Sequence, residues 1–283
     1  MKILLTGATG FTGLIYSAQA EQLGHVVVPL LADLTDQHAL TQEVNLVQPD
    51  AVVHLAGISF VGHADSSAFY QINVVGTTNL LSALAGLTKK PRCVLLASSA
   101  NIYGNCDASP ITEQQPPAPV NHYAMSKLAM EYMALTYADR LPIVIARPFN
   151  YVGVGQAPQF LIPKLVDHFL KRAPVIELGN INVEREFNDV RMVCDVYLKL
   201  LVRGELGQTY NVCSGQTYSL KQVIQKLEDL TQHSIRITTN QAFVRPNEVH
   251  KLCGSSNKLV ASIGPLETIP LSDTLRWMLA VNK

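Results

Sequence analysis

The chain has 283 residues, of which 48% are hydrophobic and only 16% charged, which suits a well-buried globular body and excludes a disordered one. Lys+Arg and Asp+Glu both number 22, so nothing in the charge points to a nucleic acid or another polyanion as partner. Five scattered cysteines with no CxxC pair read as free thiols of a reducing cytoplasm, and no stretch approaches a membrane span.

The first predicted element is a buried strand over residues 3–5. The string TGATGFTG follows, with Gly7, Gly10 and Gly13, and then an amphipathic helix over 11–23 that stops at Gly24. Its single Lys and short apolar run do not make a signal peptide. A strand that turns through glycines into a helix is suited to phosphate, because bare N–H groups and the positive end of the helix dipole face the turn. The spacing is GxxGxxG, and such turns also occur for packing alone, so by itself it is a weak signal.

Apolar runs continue at 26–31, 51–55, 93–97 and 143–146, separated by helical patterns at 36–47, 65–86 and 122–138. Continuous β-branched runs alternating with helices predict a parallel sheet covered on both faces, a doubly wound, Rossmann-type α/β fold. Past Arg147 prolines and glycines cluster. A smaller C-terminal substrate-binding lobe is expected from 151–188 and 213–283, with 189–212 returning to the cofactor domain of 1–150.

A sharper constellation is LLASSANIYG at 95–104 with HYAMSKLAMEY at 122–132. Tyr123 and Lys127 are four apart and share one helical face. A tyrosine is a poor base and a reluctant acid at neutral pH, and a nearby ammonium is expected to bring its pKa toward the working range. Ser99 follows a strand, where open α/β sheets place their ligands, and its hydroxyl can hold the oxygen that the tyrosine protonates. His54 reads as packing at a strand end and His122 as a surface residue. Cys106 is assigned no role, and no spacing of His, Cys or carboxylates suggests a metal.

With these residues the chain resembles the extended short-chain dehydrogenase/reductases, the epimerase/dehydratase group acting on nucleotide sugars. The resemblance covers essentially the whole sequence and implies NAD(P)H as cofactor. It places Gly7, Gly10, Phe11, Thr12 and Gly13 at the cofactor turn, and Asp33-Leu34 beside the adenine. Leu55, Ala56 and Gly57 of HLAG, and Asn73, would border the same cofactor. It makes Tyr123 the acid/base, lets Ser99 polarise the oxygen, and has Lys127 also hold the nicotinamide ribose.

VRPNEVHKLCGSSNKL at 244–259 looks like the RPxEVxxLxG segment of GDP-mannose 4,6-dehydratases and their sister reductases. By that likeness Arg245 grips a diphosphate and Glu248 a ribose, while Lys164, Arg185 and Asn150 add substrate contacts. The dehydratases carry an acid two positions after the catalytic Ser/Thr. This chain has Asn101 there, which hydrogen-bonds substrate but moves no proton at neutral pH. Dehydration is therefore not expected. The resemblance then implies NAD(P)H-dependent reduction of the C4 ketone of a GDP-4-keto-6-deoxy-hexose, feeding surface-polysaccharide synthesis. A nucleotide-sugar 4-epimerase that keeps its NAD and a non-catalytic NAD(P)-sensing protein are the alternatives. Related enzymes pair the helices at 65–86 and 122–138 into a four-helix bundle, so a homodimer is expected.

After the second strand the chain runs HVVVPLLADLTD. It offers neither the acid nor the arginine that would decide between NADH and NADPH, and it is short enough for one edge strand to be missing.

Overall fold

The computed structural model describes residues 1–181, 183–241 and 250–281. Strand β1 (Lys2–Thr6) buries Ile3, Leu4 and Leu5 completely, so neither of its faces meets water, as the centre of a parallel sheet requires. The turn after it opens helix α1 (Phe11–Gln22), which leads to β2 (Val26–Pro29), α2 (Gln37–Val47) and β3 (Ala51–His54). Next come α3 (Ser66–Tyr70), a π-helical turn (Gln71–Gly76), α4 (Thr77–Gly86), β4 (Val94–Ala97), α5 (His122–Leu135) and β5 (Ile143–Pro148).

The second half supplies β6 (Tyr151–Val152), α6 (Leu161–Leu170), β7 (Val175–Leu178), β8 (Glu184–Glu186), β9 (Asn188–Asp189) and α7 (Val190–Arg203). It continues with β10 (Thr209–Val212), β11 (Thr217–Ser219), α8 (Leu220–Thr231), β12 (Arg236–Thr239), β13 (Lys251–Leu252), α9 (Asn257–Ile263) and α10 (Leu271–Val281).

Six parallel strands form the main sheet in the order β10-β5-β4-β3-β1-β2, the doubly wound architecture that the sequence predicts. Side chains alternate across it. Ile3 and Leu5 join the core beneath α1, α7 and α9, whereas Leu4 faces the core under α2, α4 and α5. The sheet ends at β2, and residues 30–36 form no strand before α2, so the expected edge strand is indeed missing. A third core lies outside this sheet, where α6, α8 and α10 pack with the two-stranded β12–β7 sheet. No helix among the described residues is long and apolar enough to cross a membrane.

Two predicted helices come out differently. The run expected over 65–86 is broken by the π-helical turn at Gln71–Gly76. A Cβ on Gly76 would stand 2.8 Å from Leu34 Cβ, so the extra residue in the turn goes with a close approach of backbone to core. The helix expected over 122–138 ends at Leu135 and closes in tight turns. Its start is fixed by Asn121, whose side-chain oxygen accepts from the Ala124 N–H at 2.9 Å.

Candidate active site

The carboxyl ends of β1, β3 and β4 meet the start of α1. Gly10, its N-cap, has no side chain to close the helix, so the first N–H groups of α1 remain available. Gly7 sits at φ +69°, and a Cβ there would stand 2.8 Å from the Ala56 amide nitrogen. A Cβ on Gly13 would lie 2.1 Å from the Gly7 carbonyl oxygen. The glycines thus keep the backbone open where a pyrophosphate would approach. Phe11 stacks on Tyr151 at 6.0 Å, and Thr12 Oγ1 lies 3.0 Å from the Tyr151 hydroxyl, bracing this turn against β6. At the end of β4, Ser98 Oγ is buried without a partner, a polar atom awaiting one. Bare amides, a glycine cradle and an orphaned hydroxyl on one sheet edge fit a dinucleotide.

The wall of this edge is held by His54. Thr77 donates its hydroxyl to the Asn73 carbonyl at 2.7 Å, so its oxygen accepts from His54 Nε2, 2.8 Å away. Nδ1 must then accept from the Thr6 hydroxyl at 2.7 Å, while Thr6 Oγ1 accepts from the Ala56 N–H at 3.0 Å. Burial, with Lys127 nearby, pushes the His54 pKa down to about 3. This neutral histidine is a structural pin that fixes Ala56, not a metal ligand.

Asn73 lies in the same wall. It is 0% exposed, and its amide accepts from Ile58 N–H and donates to the Ile58 carbonyl and Ser126 Oγ. It shapes the wall from behind. A Cβ on Gly57 would fall 2.8 Å from Asn73 Oδ1 and 3.3 Å from Lys127 Nζ, so glycine is what lets this wall approach α5. Leu34 is buried in the core under α2, and Asp33 is exposed, its carboxylate accepting from the Thr35 N–H and hydroxyl.

Ser99, Tyr123 and Lys127 converge as the spacing predicts, at 4%, 7% and 5% exposure. Lys127 Nζ donates to the carbonyl of Ala97, the last residue of β4, at 2.8 Å. Burial lowers its pKa to about 8, while the Glu131 carboxylate one turn further along α5 works against that fall. The tyrosine differs from expectation. Burial raises the Tyr123 pKa, and the hydrogen bond from Ser99 only partly offsets this, with no lowering from Lys127. The phenol keeps its proton at neutral pH, which suits an acid.

Ser99 Oγ accepts twice from Asn101, from its N–H and from Nδ2, both at 3.1 Å. Asn101 therefore orients the serine hydroxyl, so that its own proton is free to point toward the phenol and whatever oxygen lies between them.

The profile of the GDP-mannose 4,6 dehydratase family matches residues 15–278. The chain belongs to that family. A curated relative, GDP-6-deoxy-D-talose 4-dehydrogenase of Aggregatibacter actinomycetemcomitans, is 37% identical over 93% of this chain and 92% of its own. GDP-6-deoxy-D-mannose reductase of Pseudomonas aeruginosa is 35% identical over 99% of this chain and 96% of its own. Among solved structures, RMD from P. aeruginosa complexed with NADPH superposes with a TM-score of 0.92 at 34% identity, covering 99% of this chain and 97% of that one. A Burkholderia cenocepacia protein described as a candidate epimerase gives the same TM-score and the same coverage at 46% identity.

Measured against the dehydratase family pattern, the substrate side is less complete. Arg245 and Glu248 lie outside the described residues. Arg185, on β8, donates to the carbonyls of Glu184 and His250, so it borders the segment that holds them. Leu252 of β13 is its parallel partner. Lys164, on α6, donates to the Glu177 carbonyl. Asn150 lies just before β6, its carbonyl accepting from the N–H and side chain of Asn188.

Two buried carboxylates, Glu131 and Glu186, escaped the sequence reading. Arg147 makes a forked pair with Glu131, Nε to Oε1 at 3.0 Å and Nη2 to Oε2 at 2.6 Å, and donates to the Tyr103 hydroxyl at 2.9 Å. Glu186 is buried, and its carboxylate accepts from the backbone N–H groups of Ser214, Gly215 and Gly254 and from Asn188. Burial raises its pKa against those hydrogen bonds. The carboxylate of Glu131 in the apolar run LAMEYMAL was the available signal for that pair, whereas Glu186, among the charges of VEREFND, offered none.

Proposed function

We infer that this chain reduces the C4 ketone of a GDP-4-keto-6-deoxy-hexose, with Ser99, Tyr123 and Lys127 as its catalytic residues. The observation that carries this reading is the buried phenol of Tyr123 beside Ser99, a serine whose oxygen is already bonded to Asn101. The bound nicotinamide supplies the hydride. Tyr123 gives its proton to the C4 oxygen, Ser99 holds that oxygen by its hydroxyl, and Lys127 contributes the positive charge behind them. Asn101 takes the place of the dehydratase acid, and an amide cannot carry the proton that this acid would move in eliminating water.

The names of the two curated relatives support a GDP-sugar, and talose and mannose differ at C4, the carbon at issue. The solved relative with NADPH supports a nicotinamide cofactor. The B. cenocepacia neighbour, described as an epimerase, favours a second reading, for which the sequence offers 4-epimerisation with a retained NAD. Net cofactor oxidation on adding a 4-keto sugar separates the two. Cytoplasmic residence and a supply role in surface-polysaccharide synthesis belong to the same proposal.

The diphosphate is assigned to Arg245, with Lys164 and Arg185 as further contacts to the substrate. A guanidinium matches a diphosphate with two parallel charge-assisted bonds. Arg245→Ala is expected to weaken calorimetric GDP binding about tenfold or more and to raise KM, with a smaller loss of kcat because the group is remote from C4. Equal binding of GDP, UDP and dTDP by the unsubstituted protein would remove the guanine assignment.

A homodimer is proposed through α4 and α5. Met125, Tyr132 and Leu135 are exposed on α5 and Val75 on the π-helical turn, an apolar set suited to a two-fold contact. Light scattering at micromolar concentration is expected to give twice the chain mass of 30.9 kDa, and a monomer would contradict it.

A further inference from the structure

We propose that this chain takes NADH in preference to NADPH and that Glu43, on α2, makes the choice; this rests on the dinucleotide reading of the glycine turn. In folds of this type the adenosine ribose meets the end of the second strand, roughly twenty residues past the turn. There an acid accepts from the 2′-hydroxyl, or an arginine accommodates a 2′-phosphate. Here that place holds Leu30, Leu31 and Ala32, which carry no charge. It lies beside the turn, because Pro29 pairs with Leu5 and the Leu30 N–H donates to the Leu5 carbonyl at 2.9 Å.

The structure restores a carboxylate to this spot from a different element. Glu43 Oε1 accepts from the Leu31 N–H at 2.9 Å, and Oε2 accepts from the Ala32 N–H at 2.7 Å. Two successive backbone amides make a small anion-binding concavity, and the chain fills it with its own anion. Each oxygen keeps a lone pair that a ribose hydroxyl can use. A 2′-phosphate has no proton to offer at that point and finds the amides already occupied.

Charge along the chain gives the second, independent observation. Residues 3–88 contain no Lys or Arg at all, and carry Glu21, Asp33, Asp36, Glu43, Asp50 and Asp65. This stretch includes β1, α1, β2, α2 and β3, the elements around the adenosine half of the fold. The one cation of these elements, Lys2 at the start of β1, donates to the Val47 carbonyl at the opposite end of the strand from the glycine turn, so a phosphate dianion placed there meets like charge with no lysine or arginine from residues 3–88 to neutralise it. Even after screening, such an encounter costs about tenfold in affinity or more.

The test is calorimetric titration of the full chain with NADH and with NADPH, separately and without substrate. The expected result is NADH bound at least tenfold more tightly. Glu43→Gln removes the charge and should bring the ratio toward one, mainly by tightening NADPH. Leu31→Arg adds a cation at the same place on a side chain that is 85% exposed, leaves the backbone bonds to Glu43 available, and should move the ratio the same way. NADPH bound as tightly as NADH by the unsubstituted protein, or a ratio that neither substitution moves, overturns the proposal while the cofactor reading stands. Binding of neither nucleotide overturns both.

Discussion

Tyr123→Phe is expected to lower turnover by at least a hundredfold while leaving cofactor affinity within about twofold, since it removes one hydroxyl and little volume. The phenol is the assigned proton donor, and burial keeps it protonated, with Ser99 as its hydrogen-bond partner. Without it, the C4 oxygen would have to take its proton from water in a site where Tyr123 and Lys127 are both more than nine-tenths buried. Steady-state rates beside calorimetric cofactor binding make the check. A Phe variant that keeps more than about a tenth of the rate removes Tyr123 from the acid's role. In the unsubstituted protein the alkaline limb of turnover should reflect Lys127, charged below its pKa of about 8 and neutral above it.

Glu131→Ala is expected to be the most destabilising of the substitutions considered, by about 3–5 kcal/mol, because it strands the buried Arg147 guanidinium. The pair ties α5 to β5, and Arg147 is also held by Tyr103, whose hydroxyl donates to Asn211 Oδ1 at 2.7 Å. Thermal unfolding would report the loss. Glu131→Gln, which keeps the shape and part of the hydrogen bonding, separates the fold from the chemistry. Glu131 supports the charged form of Lys127, so its removal lowers the Lys127 pKa further. The alkaline limb of turnover should therefore move to lower pH in the Gln variant. A limb that stays in place would restrict Glu131 to a purely structural role.

The main sheet was readable because its strands are buried on both faces and so appear as unbroken apolar runs, and because the glycine turn marks where α1 begins. Ser99, Tyr123 and Lys127 were readable because two of them share one helical face and the third ends a strand. What the sequence could not give was set by contacts between distant segments. The π-helical turn reflects the packing of Gly76 on Leu34, forty-two positions away. Arg147 and Glu131 lie on different elements, and although Glu131 stands out in an apolar run, nothing in the sequence says that the two meet. The Tyr123 pKa was misjudged for a similar reason. Helical spacing brings the lysine near, but only the packed structure shows how far the phenol is removed from water. Glu43 was overlooked because the expected acid belongs to β2, and the fold delivers it from α2 instead.

Incubation of the full chain with GDP-4-keto-6-deoxy-D-mannose and NADH or NADPH tests the central claim most directly. Loss of the nicotinamide absorbance is followed while the sugar product is resolved by NMR. The result expected is one equivalent of cofactor oxidised per ketone consumed, with a GDP-6-deoxy-hexose carrying a new C4 hydroxyl as product. Consumption of no cofactor, or interconversion of C4 epimers of a GDP-sugar without net oxidation, would contradict it.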